Sequence, residues 1–338
     1  MTEPIRVLMI TSDWPDHASW GGTATFISRQ VDFLRAAGVD VDVFRFRGNG
    51  SPLRYASAWL GVQRRLRRQR YDLVHAQFGQ SGLLALPKRL PLVVTFRGDD
   101  LEGVLSNTTG RLTARGRLLP LLSRVVARRA DATIVVSAHM KALLPRQAQP
   151  HVIPSGLDLE RFRLIPQAEA RSHLGLPFDR RLVLFVGSPT SSRKRYALAR
   201  QAVEIVKRSL PAELVLGWAV PHEEIPYFMN ACDALVFTSR QEGSPNVVKE
   251  ALACNLPVVS VAIGDVPERL RDLAGCEVSA DDRPETIAAG LVRALGRRAR
   301  VAGRERMLEL DEHVITARVI DVYRSVLARG NGNGDSAP

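Results

Sequence analysis

The sequence predicts an α/β protein of the doubly wound type, with a parallel sheet in each of two similar halves. Three observations lead there. Short apolar runs alternate with longer helical patterns along all 338 residues. Several of those runs are unbroken Val, Ile and Leu, as in strands covered on both faces. No segment supplies the about 18 consecutive apolar residues that a spanning helix requires.

The elements follow in order. In the first half, Ile5–Ile10, Val39–Phe46, Asp72–Ala76, Leu92–Phe96 and Ala132–Val136 read as strands. In the second, Leu182–Val186, Glu213–Leu216, Ala234–Phe237 and Pro257–Val261 do so. Helical patterns lie between them at Thr23–Ala37, Tyr196–Ser209, Pro245–Cys254 and Pro284–Leu295. The stretch from Pro154 to Arg181, with prolines at 166 and 177, has weak periodicity and marks the boundary between halves. The expected domains are therefore residues 1–165 and 166–312. A last helix over 313–328 carries Ile315, Val319, Val322 and Val326 at helical spacing and is expected to return to the first domain. Residues 329–338, polar and rich in glycine, read as a disordered tail.

Charge and cysteine narrow the function classes. The net charge is +12, and residues 1–165 hold 24 Lys and Arg against 13 Asp and Glu. A basic half of that kind points to nucleic acid, an anionic membrane surface or a phosphorylated substrate. Three cysteines, Cys232, Cys254 and Cys276, are too few and too dispersed for a disulfide framework or a zinc cluster. With no basic start before Ile5–Ile10, no secretory signal is expected and a cytoplasmic location is. A nucleic-acid protein lacks support in any interleaved aromatics or recognisable module. A dinucleotide oxidoreductase lacks Gly-x-Gly-x-x-Gly after a strand.

The most informative segment runs from Ala231 to Glu268. The strand Ala234–Phe237 enters the loop Thr238–Pro245, and a helix follows through Asn246, Lys249 and Glu250. Ser244 suits the N-cap and Pro245 the first helical position. A helix N-terminus beyond the carboxyl end of a strand is where open α/β sheets bind anionic ligands. Glu242 and Glu250 can then point into one crevice and accept hydrogen bonds from vicinal sugar hydroxyls, although two glutamates at this spacing also occur on solvated surfaces. Upstream, Gly187 to Lys194 follows a strand and precedes a helix, and Arg193-Lys194-Arg195 opposes the helix dipole unless an anion is bound.

Taken together these segments resemble the retaining glycosyltransferases of family 4. Glu242-Gly-Ser-Pro-Asn-Val-Val-Lys-Glu250 matches that family's signature of two glutamates separated by seven residues. Asn230–Asp233, the run Ala251–Ser260, Gly264 and Pro267-Glu268 match the segments around it. Val135–Ser137 and Val152–Asp158 match its interdomain segments, and Pro15, Gly21-Gly22, Asp72–His75 and Thr95–Asp99 occur in the expected places. The resemblance is collinear over roughly residues 5–328.

It implies a GT-B fold, two Rossmann-like doubly wound domains facing a deep cleft, with the nucleotide sugar on the second and the acceptor on the first. Glu250 would hold the donor ribose. Glu242, with the amides of Gly243, Ser244 and Asn246, would contact the transferred sugar and diphosphate. Gly21 and Gly22 would allow close approach of the donor, and Gly187 with Lys194 would bind phosphate. The arginine usual after that glycine is Ser188 here, so Arg193 or Arg195 is expected to replace it. Arg97 stands near the reacting centre, where it either contacts an anion or pairs with Asp99 or Asp100. His75 reads as structural.

The implied activity is retaining transfer of a hexose from a UDP-, GDP- or similar sugar to a glycan or lipid-linked saccharide of a cell-surface polysaccharide. No cofactor is expected. No Asp-x-Asp is read in the sequence, so no metal is expected either, and no nucleic acid. A nucleotide-sugar epimerase or phosphorylase of the same fold is the competing reading. Ala56 to Arg70, with Trp59, Val62 and Leu66 on one face amid arginines, reads either as a peripheral contact with anionic lipid at the inner membrane face or as a helix packed on the sheet.

Overall fold

The computed structural model describes residues 3–14, 25–48, 51–106 and 108–332. Their strands form two sheets, parallel at every pairing. The first contains β1 (Arg6–Thr11), β2 (Asp40–Arg45), β3 (Leu73–Gln77), β4 (Leu92–Phe96), β5 (Ala132–Val135) and β6 (His151–Val152), in the order β2-β1-β3-β4-β5-β6. The second contains β7 (Arg181–Val186), β8 (Ala212–Gly217), β9 (Ala234–Phe237), β10 (Val258–Ser260) and β11 (Glu277–Val278), in the order β8-β7-β9-β10-β11. One winding is thus used twice. In each sheet the chain steps outward once, then reverses past its first strand.

Burial explains the unbroken apolar strands. Val7, Leu8, Met9 and Ile10 of β1 are all fully buried, since helices cover both faces. The edge strand β2 instead turns Asp40 and Asp42 outward, where they pair with Arg6 at 3.0 Å and Arg65 at 2.6 Å. Asp40-Val41-Asp42 is an Asp-x-Asp, which corrects the reading that the sequence has none, and both its carboxylates are held by arginines of the first lobe. The two-residue strands β6 and β11 are too short to leave a periodic trace and went unpredicted.

One face of the first sheet packs against Ile27, Val31 and Leu34 of the helix Thr25–Ala36 and against the last helix, Glu312–Gly332. The other face takes Ala58 and Val62 of the helix Pro52–Arg68 and Val126 and Ala127 of the helix Ala114–Arg129. The amphipathic stretch at 56–70 therefore lays Val62 and Leu66 on the sheet, and its Trp59 Nε1 donates to Leu86 O at 2.6 Å.

The last helix starts on the segment that links the lobes. Leu157 N donates to Leu310 O and Glu312 N to Leu157 O. It then runs along the first lobe, where His313 meets the Phe33 ring edge-on at 4.8 Å and Tyr323 OH lies 2.6 Å from His75 Nδ1. It continues to Gly332, so residues 329–332 form its end and not the start of a tail. Residues 333–338 lie outside the described chain.

His75 is fully buried between Tyr323 and Thr95, whose Oγ1 is 2.8 Å from Nε2, and burial presses its pKa down to about 3. The ring is neutral and needs both partners. Tyr323→Phe should therefore cost about 1–3 kcal/mol, the usual penalty for one orphaned buried group. The expected result is a lower urea midpoint with an unchanged slope, and an unchanged midpoint would remove this bond from the account.

Candidate functional site

Reversal of the winding leaves a crevice beyond the carboxyl ends of β7 and β9, because their following loops diverge to opposite sides of the sheet. The loop after β7 carries Gly187 to Lys194, and the loop after β9 carries Thr238 to Pro245. They meet. Lys194 Nζ donates to Glu242 Oε1 at 2.6 Å, with both side chains mostly buried. Gly187 makes this possible: its φ of +140° suits glycine, and a Cβ there would lie 3.3 Å from Lys194 Cγ. The lysine stem lies across the bare backbone and reaches the second loop.

Burial works against ionisation of Glu242, but the charges of Lys194 and Arg193 outweigh it and hold the carboxyl below its ordinary pKa. The pair is ionic. Arg193 also reaches the first lobe, with NH1 3.5 Å from Asp99 Oδ1. Burial raises the pKa of Asp99, Arg193 opposes the rise, and Glu242 adds to it from across the cleft. Two carboxylates and two cations thus converge from both lobes.

Of the two candidates to replace the arginine missing at Ser188, only Arg193 faces the cleft in this way. Arg195 is committed within the second lobe, where its guanidinium donates to Thr238 O and Ser239 O and pairs with Asp282.

The lobes touch directly at two glycines. A Cβ on Gly243 would lie 2.4 Å from Arg97 O, and one on Gly98 would lie 3.3 Å from Gly243 N. Around this contact Gln241 Nε2 donates to Gly103 O and Ser192 Oγ to Ser106 O, both at 2.7 Å.

The start of the helix Asn246–Ala253 differs from expectation. Pro245 occupies the N-cap, without a side-chain cap bond, while Ser244 Oγ donates instead to Asp265 Oδ2 at 2.8 Å. The amides at this end therefore lack the hydroxyl that a serine cap would supply. Asn246 Oδ1 is buried without a hydrogen-bond partner among the described residues. Glu250 is 7% exposed, and its carboxylate makes no hydrogen bond or ion pair among the described residues.

Arg97 pairs with neither Asp99 nor Asp100 through its side chain. Its fork donates to Gln77 Oε1 at 2.6 and 3.0 Å, Ser155 Oγ at 2.8 Å and Gln30 Oε1 at 3.2 Å. Asp100 instead accepts from the backbone amides of Arg97, Gly98 and Gly79 and shapes the turn. Burial lowers the Arg97 pKa to about 10, partly offset by Asp100, Glu312 and Asp13, so the group stays charged. Neutral oxygens hold it, and its charge has no carboxylate contact among the described residues. Beneath it lies a cavity of about 10 Å³, room for one water, lined by Gln30, Ser155 and Glu312. Gly21 and Gly22 lie outside the described residues.

Sequence reading passed over Lys249. It is 1% exposed, and its Nζ donates to Ser155 O at 3.0 Å across the lobes. Ser155 thus joins Arg97 of the first lobe to Lys249 of the second. A lysine inside an apolar helical run was the available signal.

Comparisons with known proteins bear on the family and the fold. The family model described as Glycosyltransferase Family 4 matches residues 20–161, and that described as Glycosyl transferases group 1 matches 183–297. A D-inositol 3-phosphate glycosyltransferase of Nocardiopsis dassonvillei is 25% identical over 313 residues, covering 76% of this chain and 71% of that protein. TuaC of Bacillus subtilis, a glycosyltransferase named for teichuronic acid biosynthesis, is 29% identical over 217 residues. That match covers 58% of this chain and spans about half of TuaC, 54%. Among solved structures, sucrose-phosphate synthase from Thermosynechococcus elongatus superimposes with a TM-score of 0.77 at 20% identity, covering 96% of this chain and all of that one. HepE of Anabaena, solved with UDP, gives 0.63 at 17% identity over 95% of this chain and 100% of its own. Both likenesses are of fold, and the fold is GT-B.

Burial lowers the Lys249 pKa from 10.5 to about 7, with Asp265 and Glu250 opposing the fall and Arg269 and Arg29 adding to it. The unfolded chain then binds one more proton than the folded one between those values. Stability from this group is full at high pH and is lost as pH falls toward 7, by up to about 1.4 kcal/mol per unit. Lys249→Met should flatten the rise in urea midpoint between about pH 7 and pH 9 relative to the parent protein. Parallel profiles would show that Lys249 is charged throughout.

Proposed function

Because the chain belongs to glycosyltransferase family 4 and carries its GT-B fold, we propose that it moves a sugar from a nucleotide diphosphate to a glycan or lipid-linked acceptor, with retention at the anomeric carbon. One observation carries this reading: the Lys194–Glu242 pair at the crevice between β7 and β9, with Arg193 beside it. HepE was solved with UDP and with UDP-glucose in the same fold, which supports a nucleotide-sugar donor here.

The reaction breaks the bond between the anomeric carbon and the phosphate oxygen, the electron pair departs with the diphosphate, and an acceptor hydroxyl forms the new bond on the same face while its proton passes to the departing phosphate oxygen. Lys194 turns from Glu242 to that leaving group, and Arg193 releases Asp99 to join it. Fixed cations aimed at developing negative charge lower the barrier most where water is scarce. Amides between Gly243 and Asn246 add to the same end of the ligand. Glu242, relieved of its lysine, accepts hydrogen bonds from the transferred sugar, while Glu250 accepts from the ribose hydroxyls. Arg97, charged and without a carboxylate contact among the described residues, meets an anionic part of the donor or acceptor. With cations supplied by side chains, the reaction proceeds without a metal.

The acceptor side belongs to the basic first lobe, which suits work on a cell-surface polymer at the cytoplasmic face of the membrane, with the enzyme bound peripherally. Among the described residues no helix is long and apolar enough to cross a bilayer.

A panel of UDP-, GDP- and ADP-sugars, read by thermal shift and by sugar release, identifies the donor. Lys194→Ala and Glu242→Ala should each lower turnover at least about 10²- to 10³-fold with circular dichroism unchanged. Near-parental rates in either variant would dismiss the proposed site.

A further inference from the structure

We propose that the outward face of the helix Ala114–Arg129 is the surface on which this protein rests against anionic lipid. The inference rests on the reading of a membrane-borne acceptor and names the place where the membrane is met.

Leu118, Leu121 and Val125 recur at i, i+3 and i+7 and so lie in one row. They are 53%, 54% and 45% exposed. The face of a helix turned to water is normally polar, and three large apolar side chains in a row mark a contact surface. The helix is otherwise well anchored: Thr113 Oγ1 accepts from Gly116 N at 2.9 Å, and Val126 and Ala127 are buried in the sheet. Its exposed leucines are a property of a formed helix.

Charge selects the occupant. Residues 103–130 contain six arginines and no Asp or Glu. Arg117, Arg124 and Arg128 flank the apolar row and are exposed. A row of leucines edged by arginines on a flat helix face suits a bilayer, where the apolar chains enter below the headgroups and the guanidiniums remain among the phosphates.

Position supports the same conclusion. The loop leading into this helix abuts the second lobe, with Gly103 O and Ser106 O accepting from Gln241 and Ser192. The leading end of the surface thus lies beside the cleft that holds Lys194 and Glu242. An acceptor anchored in the bilayer could enter that cleft without leaving its lipid. The helix Pro52–Arg68, the more obvious candidate from sequence, commits Val62 and Leu66 to the sheet but exposes Leu53 and Leu60, so it is the comparison surface in the test.

The test is co-sedimentation of the full-length protein with vesicles of phosphatidylcholine containing phosphatidylglycerol, against phosphatidylcholine alone. The parent protein should bind only the anionic vesicles and release as salt rises. Leu118→Gln/Leu121→Gln/Val125→Gln should weaken partition at least about tenfold. Arg117→Gln/Arg128→Gln should weaken it and flatten its salt dependence. Leu53→Gln/Leu60→Gln, on the other helix, should leave it unchanged. Each variant is also scored by nucleotide-induced thermal shift, which reads the donor site and should match the parent.

Absent binding by the parent protein, undiminished binding by the triple leucine variant, or loss only in the Leu53/Leu60 variant would each overturn the proposal. So would a dimer in sedimentation velocity that the leucine substitutions dissociate, since the face would then serve a second copy. Leucine-dependent vesicle binding without any nucleotide-induced shift would sustain the surface and count against the donor-site reading.

Discussion

The ion pair between Lys194 and Glu242 is the constraint on which the second lobe's cleft depends. Both side chains are mostly buried, and an isolated charge at either position would be costly to desolvate. Each charge offsets part of the other's desolvation. The lysine is therefore kept extended over Gly187 at a fixed position, already stripped of most of its water. On the proposed function, a diphosphate entering the crevice would exchange one anionic partner of Lys194 for another with little reorganisation, the condition under which a fixed charge stabilises a transition state.

The lobes are held in register by close contacts more than by exposed charge. Gly98 and Gly243 meet backbone to backbone, and Ser155 accepts from Arg97 through its hydroxyl and from Lys249 through its carbonyl. Arg193 and Asp99 are by contrast 3.5 Å apart and part-exposed, a contact worth about 0–1 kcal/mol. The lobes thus meet both at the 154–157 segment with the last helix and around the Gly98–Gly243 contact, where Gln241 and Ser192 also cross, and the Arg193–Asp99 pair adds little to either.

Much of this was legible in the residues, for reasons that also explain the rest. β4 and β9 were placed to the residue because Pro91 and Arg97 bound the one run and Asp233 and Thr238 the other. Gly187, Lys194 and Glu242 were legible because each sits just after such a strand, where the topology forces loops to converge. Ser244 misled: a serine before proline reads as a cap, but Asp265, 21 residues on, claims its hydroxyl. The contacts of Lys249 with Ser155 and of Arg193 with Asp99 were missed because each joins residues 94 apart in the chain. The outward leucines of Ala114–Arg129 escaped notice because apolar spacing shows that a helix has a stripe, not which way the stripe faces.

A double-mutant cycle on nucleotide affinity tests the central claim most directly. Kd for UDP, or for whichever nucleoside diphosphate stabilises the parent protein, would be measured by calorimetry for the parent, Lys194→Met, Glu242→Gln and the double variant. If the lysine passes from carboxylate to phosphate, removing Glu242 changes affinity chiefly when Lys194 is present, with a coupling of at least about 1 kcal/mol. Equal effects of Glu242→Gln in both backgrounds would mean that the two residues act independently and that this pair does not grip the donor.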